Sequence, residues 1–310
     1  MTSRHAAAAD PEWDPVVPPA PSSIDLHTHT RRSDGVLEPE DLVGQAVAAG
    51  VRLLAITDHD SLGAIRELRA ADAVPAGLEL LPGVEINAVG GGNEGWWEGE
   101  LHVLGFGMDP NDEAFEAALA EQRAQRRLRF ERIVARLREI GLPIDDAVEA
   151  IQIGEDDALG RPTVARALMA KGHATSVEDA FRRLLGHGMP GWVPRDGLGP
   201  RAAIEAITKA GGLAALAHFG EAPNRISTLR ELQSHGLRGL EVHYRSWDRH
   251  RVAAVEGVAR ALGLVATGGS DYHGDLGPYA ETHAMLWVPP EAGDTLRAAL
   301  RPSSSAPTVD

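Results

Sequence analysis

The chain alternates between two hydrophobic rhythms. Short apolar runs bounded by Gly, Pro or Asp read as strands at residues 23–29, 51–57, 78–86, 101–107, 211–219, 237–244 and 262–269. Stretches with apolar positions three and four apart read as helices, beginning with PEDLVGQAVAAG, closed by Gly50, and DSLGAIRELRAAD. Seven strands, most followed by a helix, predict an α/β fold of the helix-covered, parallel-sheet kind.

Between Met108 and Arg195 the strand signal stops. A long charged helix carries apolar residues at Phe130, Ile133, Val134, Leu137 and Ile140 and is stopped by Gly141 and Pro143. Two shorter helices follow, one opened by Pro162 and one by a Ser176 to Asp179 capping pattern. Residues 108–195 are therefore expected to be a helical insertion, a lid over a barrel made from residues 23–107 and 196–301. Residues 1–22 and 302–310 lack periodicity and are rich in small residues and Pro, so they are expected to be disordered tails.

Composition sharpens this picture. The length of 310 residues suits one elaborated α/β barrel, and 43% apolar with only 5% aromatic residues implies a core of Leu, Val, Ile and Ala. A formal net charge of -15 argues against long nucleic acid or an anionic membrane as partner, since both demand clustered Lys and Arg. There is no cysteine, so imidazole and carboxylate are the strong metal ligands on offer. The N-terminal stretch has charges and prolines where a signal peptide needs apolar residues, and no run is long enough to span a bilayer. The expectation is a soluble, cytoplasmic protein.

The chemistry concentrates at strand ends. In DLHTHTRRSDG, His27 and His29 are two apart on a strand and share a face, and Asp34 follows in the loop. The second strand ends in TDHD, presenting Asp58 and His59. Glu85 sits in the apolar run LPGVEI with no obvious partner; a salt bridge to an arginine would explain it, but bridging two cations removes the desolvation cost directly. His102 and His218 each lie at the end of an apolar strand, and GGSDYHG supplies Asp271 and His273, its glycines permitting close backbone approach. Any one of these alone reads as a core histidine or a turn aspartate; the grouping reads as metal ligation. His5, His173, His187, His235, His250 and His283 lack such company and read as surface or structural. His243 also ends a strand and reads as pocket lining, hence a candidate substrate contact.

These motifs, DLHTHT with SDG, TDHD, PGVEI, HVLGFG, GRP, AGGLAALAH and GGSDYHG, resemble in order those of the polymerase and histidinol phosphatase (PHP) family, in its branch of stand-alone nucleotide phosphoesterases. The resemblance covers most of the chain. It implies a distorted (βα)7, TIM-like barrel with three divalent metal ions, of Mn, Fe or Zn. By position, His27, His29, Glu85 and Asp271 would hold the first ion; Glu85, His102 and His218 the second; Asp34, His59 and His273 the third. Two departures stand out: Thr163 follows Gly160, Arg161 and Pro162 where the family often has His, and Phe219 follows His218 where it often has Pro.

The activity this implies is hydrolysis of a phosphate ester in a small nucleotide, a nucleoside mono- or 3',5'-bisphosphate, by a hydroxide held between metal ions. Asp58, Arg161 and His218 are the candidate catalytic residues, Asp58 as ligand orienter or proton donor. Arg161 is the candidate contact to a phosphate that is not cleaved. Thr163, Arg195, Arg225 and His243 complete the candidate substrate contacts, and Trp96 and Trp97 read as base cover or surface patch. Three alternatives remain: a 5'-3' exoribonuclease on short RNA, an amidohydrolase-type C–N hydrolase, and a non-catalytic metal-binding module. The second usually recruits a strand lysine, whereas Lys171 and Lys209 lie in helical contexts.

Overall fold

The structure, a computed structural model, describes Asp14, Val16 and residues 20–90, 99–151, 154, 157–274 and 276–301. The expected tails, except for Asp14, Val16, residues 20–22 and the segment they join, fall outside these residues, as do His5, Trp96 and Trp97.

One seven-stranded sheet runs in chain order: β1 (Ile24–Asp25), β2 (Leu53–Ile56), β3 (Glu79–Gly90), β4 (Gly99–Phe106), β5 (Leu213–Leu216), β6 (Leu237–Tyr244) and β7 (Val265–Gly269). The ladder of β1 is short, but the chain stays stitched between its neighbours beyond it. Leu26 N–H donates to the Gly268 carbonyl, Asp271 N–H to His27 and Thr57 N–H to Thr28, at 2.7–3.0 Å. These bonds nearly close the sheet into a barrel. Leu53, Leu54, Ala55 and Ile56 of β2 and Leu213 to Leu216 of β5 are buried along their whole length, as strands covered on both faces must be.

The expectation of a parallel sheet needs correction at one strand. The β1–β2, β2–β3, β5–β6 and β6–β7 pairs are parallel, but β4 is antiparallel to both β3 and β5. Only residues 91–98 lie between β3 and β4, too short a connection for the crossover that a parallel neighbour requires, so the strand reverses direction. The reversal brings the N-terminal end of β4, with His102, to the same barrel face as the C-terminal ends of the parallel strands.

Helices α1 (Pro39–Ala48) and α2 (Gly63–Ala70) follow the first strands as expected. The second half of the barrel carries α7 (Pro200–Lys209), α8 (Ile226–Ser234), α9 (Arg249–Leu262), α10 (Tyr279–His283) and α11 (Pro290–Leu300). Between them lie α3 (Glu113–Glu139), α4 (Asp145–Glu149), α5 (Arg161–Ala170) and α6 (Val177–Ala180), the last running into a π-helical turn at Phe181–Leu185. Ser176 caps α6 by accepting the Asp179 N–H, while the Asp179 carboxylate reaches back to the Thr175 N–H. These middle helices enclose a hydrophobic cluster of their own around Phe130, Ile133, Leu137, Leu168 and Leu185, separate from the clusters on the barrel.

Candidate metal centre

Six histidines and three carboxylates from seven separate segments converge at one end of the barrel. His27 and His29 leave β1, Asp34 lies in the loop after them, and His59 follows β2. Glu85 is on β3 and His102 diagonally across from it on β4, where His102 pairs in register with Asn87. His218 follows β5; Asp271 and His273 follow β7. The backbone is bent to do this: His218 and Asp271 adopt φ of 32° and 48°, and Asp60, next to His59, φ of 49°. Positive φ in residues other than glycine is strain held by the surrounding structure. At Gly269 a Cβ would lie 2.2 Å from that of His27, so only glycine lets β7 approach this closely.

The side chains fall into three overlapping groups: His27, His29, Glu85 and Asp271; Glu85, His102 and His218; and His29, Asp34, His59 and His273. His27 Nε2 lies 3.2 Å from Asp271 Oδ1 and 3.3 Å from Glu85 Oε2, and His29 Nε2 lies 3.3 Å and 3.2 Å from the same two atoms. Ligands bonded to one divalent ion at about 2.0–2.2 Å stand roughly 3.0–3.5 Å from one another, so this spacing fits a shared cation. His27 Nε2, His29 Nε2, His59 Nδ1 and Asp34 Oδ1 are buried with no hydrogen-bond partner, which in a folded protein calls for a ligand. The donor set therefore fits metal, with Glu85 common to two groups and His29 common to two.

Electrostatics agree. Burial would raise the Glu85 carboxyl, but the imidazoles packed around it, His102 and His27 among them, hold it well below the usual carboxylate range. Asp34 and Asp271 are likewise held low by neighbouring imidazoles against the pull of burial. Burial lowers His59 to about 3, so its ring stays an unprotonated donor.

Around the cluster stands a layer of orienting groups, and the sequence reading missed the most important of them. Glu241, on β6 and fully buried, is hydrogen bonded through Oε1 to His27 Nδ1 at 3.0 Å and accepts the His218 backbone N–H on Oε2 at 2.6 Å. Tyr244 donates to Asp271 Oδ2 at 2.8 Å. The signal was present: Glu241, like Glu85, is a lone carboxylate in an apolar strand. His243, the expected pocket residue of this strand, is carried off the site by a bulge between Glu241 and His243.

The cavity beside the cluster has a volume of about 210 Å³ and is lined on one side by metal-site residues and on the other by residues of α3, α5 and the π-turn. Arg161 lines it, 3.1 Å from Glu100 and with its guanidinium carbon 5.4 Å from the centre of the Phe181 ring. Asn87, Arg126 and Arg129 also line it and were missed. On α3 the buried positions run Phe115, Leu119, Gln122, Arg126, Arg129, Ile133 and Leu137, so polar residues interrupt an otherwise apolar stripe where the helix crosses the cavity. That interruption was readable.

Four expected substrate contacts are not part of this cavity wall. Arg195 is buried against Asp60, with its Nη2 2.9 Å from Oδ2. Arg225, in the segment after β5, is exposed and paired with Glu221 at 3.4 Å. Thr163 faces a second pocket with Arg31, Ser33 and Arg166, and His243 faces an outer pocket with Glu256 and Pro289. Asp58 is also outside the wall: it is 1% exposed and accepts from Thr30 N–H, Thr30 Oγ1 and Ser33 Oγ at 2.6–2.7 Å, pinning the loop that carries Asp34. That engagement suits an orienting role.

A buried imidazole and carboxylate cluster at the mouth of an α/β barrel, opening on an arginine-walled cavity, is the arrangement of a metal-dependent hydrolase. Comparison with known proteins specifies which. A PHP domain model matches residues 25–154. The chain is 35% identical over 271 residues to the 5'-3' exoribonuclease Rnm of Escherichia coli, covering 86% of this chain and 89% of that protein. It is 33% identical over 261 residues to a 3',5'-nucleoside bisphosphate phosphatase of Chromobacterium violaceum, covering 81% and 87%. A solved structure described as a metal-dependent phosphoesterase from Bifidobacterium adolescentis superposes with a TM-score of 0.78 at 32% identity, over 91% of this chain and 97% of that one. The chain belongs to the PHP domain family of metal-dependent phosphoesterases. Among the described residues no helix is long and apolar enough to cross a membrane.

Proposed function

We propose that this enzyme hydrolyses a phosphate ester of a small nucleotide, with three divalent ions of Mn, Fe or Zn held by the nine side chains in the groups assigned from the sequence. The carrying observation is that unpartnered metal-ligating atoms of the barrel and guanidinium groups of the helical segment face one cavity of about 210 Å³. Such a space suits a phosphate and its ester oxygen better than a length of polymer. Residues 108–195 act as the lid. A nucleotide substrate agrees with the cytoplasmic location expected from the sequence.

When bound, divalent ions supply Lewis acidity toward phosphoryl oxygens and a water acidic enough to be a nucleophile. The chain's own residues hold and aim. Glu241 and Tyr244 fix His27 and Asp271; Asp58 fixes the Asp34 loop. Arg161 and its neighbours meet phosphate charge, and Phe130, Ile133, Leu159 and Phe181 exclude water from the lid side. His218, 30% exposed, is the cluster member most open to substrate.

Trimming of short RNA from its 5' end is the second reading, favoured by the relatives of that name. Phosphate and nucleotide release by the metal-loaded protein from nucleoside mono- and bisphosphates, short oligoribonucleotides and amide substrates decides among these. Turnover of mono- or bisphosphates supports the proposal; poor mononucleotide hydrolysis with processive digestion of long strands supports the exoribonuclease; amide turnover alone overturns both.

A further inference from the structure

Glu85 and Asn87 lie two apart on β3, so their side chains leave the same face of the strand. Glu85 enters the ligand cluster, and Asn87 reaches the same cavity from a backbone position about 7 Å further along. Across the ladder Asn87 pairs in register with His102, whose ring meets Glu85 Oε1 at 2.6 Å. Asn87 is thus the next side chain beyond the bridging carboxylate.

It is 5% exposed, and its Oδ1 is buried with no hydrogen-bond partner among the described residues. A buried amide that serves the fold spends its oxygen on the backbone, as Gln122 does by accepting the Leu198 N–H on Oε1 at 2.7 Å. Asn87 does not. An acceptor walled off from solvent and left without a donor is costly, and a donor inside the cavity would remove that cost.

The chemistry of the amide narrows what that donor is. A phosphate oxygen is itself an acceptor, so it cannot satisfy Oδ1; a hydroxyl can. When a ribose carries the reacting phosphate on O3', its 2'-hydroxyl is only four bonds from phosphorus, whereas the polar edge of the base lies well beyond. A phosphorus beside Glu85 therefore brings that hydroxyl toward the neighbouring side chain on the same face. The 2'-hydroxyl is also the group that separates RNA chemistry from DNA chemistry.

We propose that Asn87 is a specificity-determining residue that accepts a hydrogen bond from the hydroxyl vicinal to the scissile ester, the 2'-hydroxyl of a ribose phosphorylated on O3'. This rests on the phosphoesterase reading and deepens it, making the substrate class ribonucleotides and not deoxyribonucleotides. A nucleoside 3'-phosphate and the first nucleotide of a short RNA present the same vicinal hydroxyl, and the measurements separate them.

The test compares kcat/KM of the metal-loaded full chain for adenosine 3'-monophosphate with that for its 2'-deoxy and 2'-fluoro counterparts. A second arm compares an RNA trinucleotide with one lacking only the 2'-hydroxyl of its first nucleotide. In whichever arm is the natural class the hydroxyl should raise kcat/KM by about tenfold or more, and fluorine, which has no proton to give, should not replace it. The ratio should fall toward one in Asn87→Ala and Asn87→Leu, with most of the loss on the hydroxyl-bearing substrate; thermal melts establish that these variants are folded. A crystal structure with the non-hydrolysable 3'-methylenephosphonate of adenosine reads the contact without turnover, and should place O2' within about 3.2 Å of the Asn87 amide. Wild-type ratios near one in both arms, or folded variants that lose both members of a pair alike, overturn the assignment of Asn87 and leave the phosphoesterase reading standing. If wild type hydrolyses no phosphate ester yet holds the hydroxyl of the analogue on Asn87, the phosphoesterase reading falls and the contact stands.

Discussion

Glu241 grips His27 through its ring, Nδ1 to Oε1 at 3.0 Å, and with its other oxygen takes the backbone N–H of His218 at 2.6 Å. One carboxylate thus sets ligands on two strands. With a cation bound it would fix the His27 tautomer, its Nδ1–H toward Glu241 and its Nε2 lone pair toward an ion shared with Glu85 and Asp271. Glu241→Gln offers an amide in its place and should weaken metal affinity about 10- to 100-fold. Competition with a chromophoric chelator measures this; unchanged affinity would reduce Glu241 to packing.

Glu85 serves two of the three ligand groups. Glu85→Gln should therefore lower metal stoichiometry as well as rate, since a neutral amide bridges two cations poorly. His27→Ala and Asp271→Ala should cut turnover by far more than about tenfold, ~1.4 kcal/mol on the barrier, with the far-ultraviolet circular dichroism kept. Elemental analysis of protein purified without chelator reads the first effect. Residual activity above roughly a tenth would remove His27 and Asp271 from the ligand set.

Chelation should lower the melting temperature, and returning the metal should restore it. Asp34, Glu85 and Asp271 are buried together, and four ligating atoms have no other partner, so the folded state binds cations that the unfolded chain holds less well. Paired melts with and without chelator check this. Identical curves would show that the fold is indifferent to metal.

His243, placed by the bulge in the outer pocket, is 8% exposed, and burial pushes its imidazole down to about 4. The folded protein keeps it neutral while the unfolded chain takes up a proton near pH 6.5. Its contribution is thus fully present above about pH 6.5 and is lost as pH falls toward 4. Between pH 7.5 and 5, wild type should lose roughly 2 kcal/mol more stability than His243→Gln. Urea unfolding at the two pH values supplies the difference, and equal losses would contradict it.

The histidines at strand ends were legible because a strand's apolar run marks both its length and where it stops, and HxH spacing fixes a shared face. The direction of β4 was not, since nothing in ELHVLGFG distinguishes up from down; only the shortness of the connection before it does. Arg161 was singled out for its motif, whereas Arg126 and Arg129 looked like the surface of a charged helix. Their burial depends on what α3 crosses, which is tertiary information. Arg195 and Arg225 carried the same charge without the same placement, and charge is all that a sequence displays.

All nine imidazole and carboxylate positions of the metal centre belong to strands and loops of the barrel, while the helices over the cavity have a hydrophobic cluster to themselves. On the proposed reading, replacing Ile133 or Phe181 should alter what the cavity accepts without moving a ligand, and replacing Leu137 or Leu168 should stress the helices that carry them. Reactivity and selectivity are thus inherited on separate stretches of chain. A population of variants can explore new substrates by drift in one stretch while the other preserves the reaction.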